Sequence, residues 1–343
     1  MSGRVPVAVL GATGIVGQHL VRLLDGHPWF TLAEVAASES RAGRRYGDAV
    51  PWTLGAEPPA AASDLGLLPV GAPLRSPIVL SALPAGVAHD VEQRYAGEGK
   101  LVSSNASAHR MRPDVPLLIP EVNAPELELL DRQPWAGSGG ALVCNPNCVV
   151  AGVALALAPI ERRWGVAEGA MVTLQALSGA GLGGPSALEL AGNVVPWIGG
   201  EEEKIPAELG RVLGRSVPLS VAVNRVPVSD GHIAHLFLRL RRSALPEEVR
   251  AELRSFGSRS LSALPTLRVS PLVVTDGPDR PQPRLDVGRG GGMTVTVGRV
   301  RESPPHDLAL VVLSHNAVRG AAGACLANAE AAFARSPPRV GVA

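Results

Sequence analysis

The tetrapeptide Asn145-Pro146-Asn147-Cys148 places a lone thiol between a rigid, amide-rich turn and the apolar run VVAGVALALAPI. A thiol in the first turn of a helix has its thiolate favoured by the helix dipole and by free N–H groups, which makes it a nucleophile near neutral pH. If the run after Cys148 is a buried helix, Asn145 to Asn147 form the turn before it, and the Asn147 amide can donate to an oxyanion. Two other readings of the thiol stand beside this one. Free cysteines are most often inert core residues, and Cys144 with Cys148 has the spacing of half a metal clip. A clip needs two further ligands at short spacing, and the chain offers neither a second cysteine pair nor a histidine cluster nearby, so no metal is expected. Cys144, at the end of the apolar run ALVC, reads as a strand packing residue, and the two thiols should differ in burial and in acidity.

A base and an anion holder lie downstream. The stretch RVPVSDGHIAHLFLRL, Arg225 to Leu240, contains His232 and His235. On a strand they point to opposite faces and cannot act as a pair. His235 shares a face with Ile233 and Phe237, the mark of a core histidine, whereas His232, at the strand's mouth after Asp230-Gly231, is placed to exchange protons. Arg225 offers a planar fork suited to a carboxylate, or is an ordinary surface arginine. The segment EEEKIPAELGR, Glu201 to Arg211, reads as a solvated helix with i, i+3 and i, i+4 charge pairs.

Gly11-Ala-Thr-Gly14-Ile-Val-Gly17 follows a short β-branched run, Val5 to Leu10, and opens a helical apolar pattern, Ile15 to Leu24. In such a strand, glycine turn and helix, backbone amides at the helix N-terminus meet a pyrophosphate, and glycine lets the chain approach it; the bland alternative is a tight turn using glycine for positive φ. After the second strand the chain reads AASESRAGRR. Glu39 suits a ribose hydroxyl, but Ser38, Ser40, Arg41 and Arg44 can surround a 2′-phosphate, which favours NADP over NAD.

These residues must be held by a scaffold of matching size. With 343 residues and 46% hydrophobic content, two domains are expected. Thirty-two basic against thirty-one acidic residues leave a formal charge of +1, which gives no electrostatic case for nucleic acid or a charged membrane. Three cysteines do not make a disulfide framework and point to a reducing compartment, so a cytoplasmic location is expected. The apolar run near the N-terminus is too short for a signal peptide, and Val149 to Ile160 is interrupted by Gly152 and Pro159. Short runs at Thr31–Ala37, Ile78–Leu83 and Leu117–Ile119 fit a parallel sheet of βαβ units. Longer ones at Met171–Leu177, His232–Leu240, Met293–Arg301 and Asp307–Leu313 suggest a second, mixed or antiparallel sheet. The small-residue helix Ala317–Ala334 can pack back on the first domain.

GATGIVGQHLVRLL, HPWF, SNASAHR, PLLIPEVN, NPNC, QALSGAG, EEEK…ELGRVLG, RVPV…GH and HNAVRGAAG occur here in the order seen in aspartate-semialdehyde dehydrogenases, and the sequence most resembles their archaeal and fungal type. The resemblance covers nearly the whole chain. It implies an α/β fold: an N-terminal Rossmann-type parallel-sheet domain, residues 1–147, completed by a C-terminal helix, 317–343, plus an α+β catalytic and dimerisation domain, 148–316. It further implies that Cys148 attacks L-aspartyl 4-phosphate, that NADPH reduces the resulting thioacyl enzyme to L-aspartate 4-semialdehyde, and that the product feeds lysine, threonine, methionine and isoleucine biosynthesis. His232 matches the family's acid/base residue, Gln175 the residue that positions substrate beside the thiol, and Arg225 the clamp on the α-carboxylate. Glu208 would meet the α-amino group, while Arg110, with Arg211 and Lys204, would hold phosphate. Cofactor contacts would come from Thr13, Gly14, Ile15 and Val16, from Ser38, Ser40 and Arg41, from Ser178 and Gly179, and from Asn316. The assembly would be a homodimer or homotetramer.

Two positions depart from the family pattern. Members of this type tend to read ASERSAG where this chain has ASESRAG, which transposes Ser40 and Arg41 and weakens the expected grip on a 2′-phosphate. Arg211 stands where lysine is usual, keeping the charge but changing the geometry. A related reductase acting on a thioester such as malonyl-CoA would share Cys148 and His232, although Glu208 argues for an amino-bearing substrate. A non-catalytic dinucleotide-binding paralogue would be free to lose Cys148, His232, Gln175 or Arg225, and all four are present. A reductase of N-acetylglutamyl phosphate would carry PGCYPT-like surroundings at its cysteine, which this chain lacks.

Overall fold

The computed structural model describes residues 3–55, 57–184, 187–258 and 263–336. Residues 337–343, which the expected C-terminal helix included, lie outside the described residues. Two six-stranded sheets form among the described residues. The first comprises β1 (Val5–Leu10), β2 (Phe30–Ala37), β3 (Leu67–Pro69), β4 (Ile78–Ser81), β5 (Leu101–Ser104) and β6 (Ala141–Cys144), all parallel in the order β3-β2-β1-β4-β5-β6. The order reverses between β1 and β4, and a crevice opens there at the strands' carboxyl ends. β4 is buried along its whole length, which is why it reads as a short apolar run rather than as alternation. The expected strand Leu117–Ile119 is not one: Leu117 makes a single parallel bridge to Cys144, and Pro120 at once starts a short helix. Pro116 and Pro120 bracket these residues and leave no room for a ladder.

The second sheet comprises β7 (Val166–Gln175), β8 (Leu219–Arg225), β9 (His232–Leu240), β10 (Leu272–Val274), β11 (Val295–Ser303) and β12 (His306–Ser314), in the order β10-β11-β12-β9-β7-β8. It is mixed, parallel at both edges and antiparallel in the middle. One face, carrying Ala234, Leu236 and Leu238, is buried. The opposite face is half-buried on β7 and β9, while its β12 residues Ala309, Val311 and Leu313 are buried. Ile233, His235 and Phe237 lie on it beside Leu174, Val172 and Ala170, their register partners on β7. His235 is therefore no core histidine. It belongs to an apolar sheet face that its own chain leaves partly open.

The helix Cys148–Arg163 ties the two sheets together. Every residue from Val149 to Glu161 is buried, as expected of a helix apolar on all sides. One continuous apolar cluster runs through it from β1, β4 and β5 to β9, β11 and β12. A Cβ on Gly152 would sit 2.3 Å from Ser314 Oγ, so glycine is what lets this helix lie directly on β12. The chain's last described helix, Gly323–Arg335, preceded by a π-helical turn over Val318–Ala322, packs on the first sheet. Ser103 Oγ donates to Cys325 O at 2.7 Å, Asn328 Nδ2 to Leu118 O at 3.1 Å, and Glu330 meets His27 Nε2 at 2.9 Å. None of the described helices is long and apolar enough to cross a membrane.

Candidate active site

Cys148 is the first residue of its helix, and Asn147 is the N-cap, its Oδ1 accepting Val149 N–H at 2.8 Å. The Asn147 Nδ2 donates to both carboxylate oxygens of Glu201, at 2.9 and 2.8 Å. The side-chain amide expected to serve an oxyanion is thus engaged at both ends; its work is to cap the helix and hold Glu201. The Asn147 backbone N–H goes to Glu208 Oε2 at 2.6 Å. Gly320, in the π-helical turn, crosses over the thiol, and a Cβ there would lie 2.8 Å from Cys148 Cβ.

The two neighbouring cysteines differ in exposure as expected: Cys144 is buried, whereas Cys148 is part-exposed on the wall of a cleft of about 310 Å³. The expected contrast in acidity is not found. Burial pushes both thiols up, Cys148 to about 12, with the Glu201 carboxylate adding to the rise and Arg110 and Arg225 opposing it. In this state the thiol is held protonated, and any change that neutralises Glu201 favours the thiolate.

Glu201, Lys204, Arg110 and Asn105 line the cleft with Cys148. Glu208 and Arg211 do not, which corrects two expected roles. Glu208 receives Arg110 Nη1 at 3.0 Å as well as the Asn147 N–H, so its carboxylate is a buried clasp between the cysteine turn and Arg110. Arg211 donates to Arg110 O and Val115 O, each at 2.5 Å, and so braces the Arg110 segment from behind. Both pairs, Glu201 with Lys204 and Glu208 with Arg211, have the same Glu-x-x-basic spacing on the helix Glu201–Leu213. They are seven residues apart, two turns and roughly 10 Å along one face, so spacing alone could not say which pair reaches the thiol. Glu201 is the cleft residue that sequence reasoning missed.

His232, Arg225 and Gln175 sit behind the cleft wall, at the mouths of β9, β8 and β7. Ala176, which follows β7, holds the first two: its N–H donates to His232 Nδ1 at 3.0 Å, and its carbonyl receives Arg225 Nη1 at 2.7 Å. Because Nδ1 accepts a hydrogen bond, the neutral ring carries its proton on Nε2, and that nitrogen has no partner. Gly179, in the cleft wall, makes this reach possible, since a Cβ there would lie 2.8 Å from both Arg225 Nη1 and His232 Cε1. Gln175 is buried and turned towards Thr173 Oγ1 at 3.4 Å rather than into the cleft.

Burial, then Arg225 and His315, lower His232 to about 3, and burial, then Arg22 and His315, lower His19 to about 4. Both rings bind a proton more readily in the unfolded chain, whose reference is near 6.5. Their contribution to stability is therefore whole above about pH 6.5 and lost as pH falls towards 4 and 3. Thermal melts should show the Tm falling over that window, and replacing His19 by Gln should flatten part of the fall.

The glycine loop lies at the switch point. Gly11 has φ +69°, and a Cβ there would meet Ala82 O at 2.5 Å, beside the end of β4. Gly14 caps the helix Ile15–Leu24, and Gly17 touches the loop itself, where a Cβ would be 2.1 Å from Gly11 O. From outside, Gln18 Nε2 donates to Thr13 O at 3.1 Å and Tyr46 Oη to Ala12 O at 3.0 Å, which holds the loop's carbonyls on the protein side. Val16 reaches the same cleft as Cys148, as do Ser178 and Asn316. Asn316 is fixed by Gly231 N–H at 2.9 Å and donates to Ser178 Oγ at 2.8 Å. Ser38, Ser40 and Arg41 form an exposed turn after β2, with the two hydroxyls 3.0 Å apart. This cradle fits a dinucleotide. Gly17→Ala should cost about 1–3 kcal/mol and abolish dinucleotide binding in a fluorescence titration, whereas Gly14→Ala, with its Cβ 3.5 Å from Gly11 O, should be tolerated. No group of three or more His, Cys, Asp or Glu suited to a metal occurs among the described residues.

Comparison with known proteins decides among the remaining chemistries. The semialdehyde dehydrogenase NAD-binding domain matches residues 6–130, and the semialdehyde dehydrogenase dimerisation domain matches residues 157–319. Aspartate-semialdehyde dehydrogenase of Archaeoglobus fulgidus is 43% identical over 338 residues, covering 95% of this chain and 97% of its own. The chain belongs to the aspartate-semialdehyde dehydrogenase family. That of Saccharomyces cerevisiae is 36% identical over 98% of this chain and 100% of its own. The crystal structure of the Candida albicans aspartate-semialdehyde dehydrogenase with NADP superposes with a TM-score of 0.85 at 32% identity, over 97% of this chain and 99% of that one. As a member of this family the chain is an oxidoreductase with an NAD-binding and a dimerisation domain, and its parallel sheet and mixed sheet are those of an aspartate-semialdehyde dehydrogenase.

Proposed function

We propose that this chain performs the NADPH-dependent conversion of L-aspartyl 4-phosphate to L-aspartate 4-semialdehyde through a thioacyl intermediate on Cys148. The observation that carries the reading is the convergence on one cleft of the thiol in the helix's first turn, the carboxylate of Glu201 and the cations Arg110 and Lys204. These groups match an amino-bearing acyl phosphate, whereas a CoA thioester has no use for Glu201 beside the thiol. Bound NADP(H) supplies or accepts the hydride.

Arg110 and Lys204 take the phosphate, Arg225 the α-carboxylate and Glu201 the α-ammonium, the role first expected of Glu208. Pairing with that ammonium cancels the charge by which Glu201 raises the thiol, so substrate binding itself favours the thiolate. The thiolate attacks the acyl carbon, the acyl–oxygen bond breaks, and phosphate leaves with the proton the thiol gave up. His232 enters as a hydrogen-bond donor: its Nε2–H steadies the oxygen that becomes negative in each tetrahedral species, and collapse of the second returns the thiolate without a further proton. Gln175 orders the β7 end that carries Ala176. Ser38, Ser40 and Arg41 would meet a 2′-phosphate, which makes NADP the preferred dinucleotide. The domains divide at Asn147 and Cys148, with Gly323–Arg335 completing the first. Purified protein should turn over aspartate semialdehyde with NADP repeatedly only when phosphate is present; robust turnover of a CoA thioester but not of the semialdehyde would overturn the reading.

The half-open face of the mixed sheet is the surface by which two copies would pair. A homodimer formed by this face would cover Ile233, His235 and Phe237 together. Phe237→Glu should shift the mass in solution from dimer to monomer in light scattering; an unchanged mass would place the interface elsewhere.

A further inference from the structure

Helix Ala85–Gly97 buries one acidic side chain completely, Glu92. Its Oε1 accepts the Ser104 hydroxyl at 2.7 Å, and Ser104 Oγ in turn accepts Ala106 N–H at 3.0 Å. The turn held in this way contains Asn105. Its carbonyl receives Arg110 Nη2 at 2.7 Å, and its Oδ1 receives the Asn145 amide, from the cysteine turn, at 3.2 Å. The other carboxyl oxygen of Glu92 has no hydrogen-bond partner and faces His109 Nε2 at 3.6 Å. His109 is itself fully buried, directly precedes Arg110 and stacks on His89 with ring centroids 5.2 Å apart. A buried carboxyl and imidazole facing each other at this distance have one proton to share between them. Apolar residues in their place would serve stability as well or better, so stability alone does not account for the pair.

We propose that Glu92, together with His109, is a positioning residue for Arg110, fixing the Ser104–Arg110 segment so that the guanidinium meets the phosphate of the substrate. The inference rests on the reading of Arg110 as a phosphate holder. Burial raises Glu92 to about 7, opposed by the hydroxyls of Ser81 and Ser104 and then by Arg110 and His89. The charged or titratable groups around it are thus Arg110, His89 and His109, with Cys144 on the adjoining strand and Cys325 on the helix Gly323–Arg335. As pH rises through neutrality the carboxylate forms and tightens its hold on Ser104, so phosphate binding should strengthen with it.

The test is steady-state kinetics of phosphate-dependent semialdehyde oxidation by the full-length wild type and by Ser104→Ala, Glu92→Gln and Arg110→Ala. Ser104→Ala removes both the donor to Glu92 and the acceptor of the Ala106 N–H and should raise the KM for phosphate on the order of ten-fold, leaving kcat and the KM for NADP nearly unchanged. Glu92→Gln keeps the acceptor and should match the wild type in acid. The ratio of the two KM values should then grow as pH rises through about 7, a comparison in which the ionisation of phosphate itself cancels. If Arg110→Ala raises the phosphate KM while Ser104→Ala and Glu92→Gln leave it unchanged at every pH, the positioning role is wrong and the site reading stands. If Ser104→Ala lowers kcat and raises both KM values alike, Glu92 is a structural residue and the inference fails. If Arg110→Ala has no effect on the phosphate KM, the site reading fails and takes the inference with it.

Discussion

Cys148→Ser is expected to lower phosphate-dependent semialdehyde oxidation by at least about a thousand-fold, because a serine hydroxyl does not ionise in this cleft and forms no thioester. The side chain sits at the first helical position, part-exposed, with the helix cap supplied by Asn147 rather than by itself. The Tm should therefore stay within a few degrees of the wild type. Cys144→Ser makes the reverse pair of outcomes: a hydroxyl in the fully buried end of β6 destabilises by about 1–3 kcal/mol and leaves kcat near normal. Stopped-assay rates and melting curves of the two variants separate the reactive thiol from the structural one. Activity retained in Cys148→Ser would remove the covalent step altogether.

Replacing His232 tests what its imidazole does. The Ala176 N–H occupies Nδ1, so Nε2 is a donor, and burial keeps the ring neutral far below the assay range. His232→Ala should lower kcat on the order of 10²–10³-fold, the usual loss of one donor to a developing oxyanion. His232→Gln, whose amide nitrogen can stand near Nε2, should recover at least part of that loss. A ring acting as proton acceptor from the thiol would make the Gln variant as poor as the Ala variant. It would also put an ionisation of its own into the kcat profile, and the donor role predicts none from this residue above about pH 4.

The parts of this architecture that are encoded locally could be read without coordinates. The strand Val5–Leu10, the glycine turn and the helix Ile15–Leu24 follow one another in sequence, and each is specified by its own residues. β9 likewise shows its alternation from His232 to Leu240. β3, β5, β8 and β10 went unread for different reasons: three are three or four residues long, too short for a period to register, and β8 is interrupted by Ser220 and Asn224. At the site, residue types were legible and partners were not. Glu201 and Glu208 share a helix face, and what separates them is tertiary: Arg110 and the Asn147 N–H claim one carboxylate and leave the other in the cleft. Asn147 looked free for an oxyanion because its neighbours on the helix Glu201–Leu213 are more than fifty residues away in sequence. His235 was misplaced for a further reason. A half-buried apolar face resembles a core in sequence, because both are built from apolar residues at every second position.

The covalent intermediate can be observed directly. Mixing the enzyme with aspartate semialdehyde and NADP in the absence of phosphate should give a burst of NADPH equal to the number of sites, with an acyl adduct found by peptide mass spectrometry on Cys148 and discharged when phosphate is added. NADPH formed without any adduct on Cys148, or an adduct that phosphate does not remove, would contradict the mechanism.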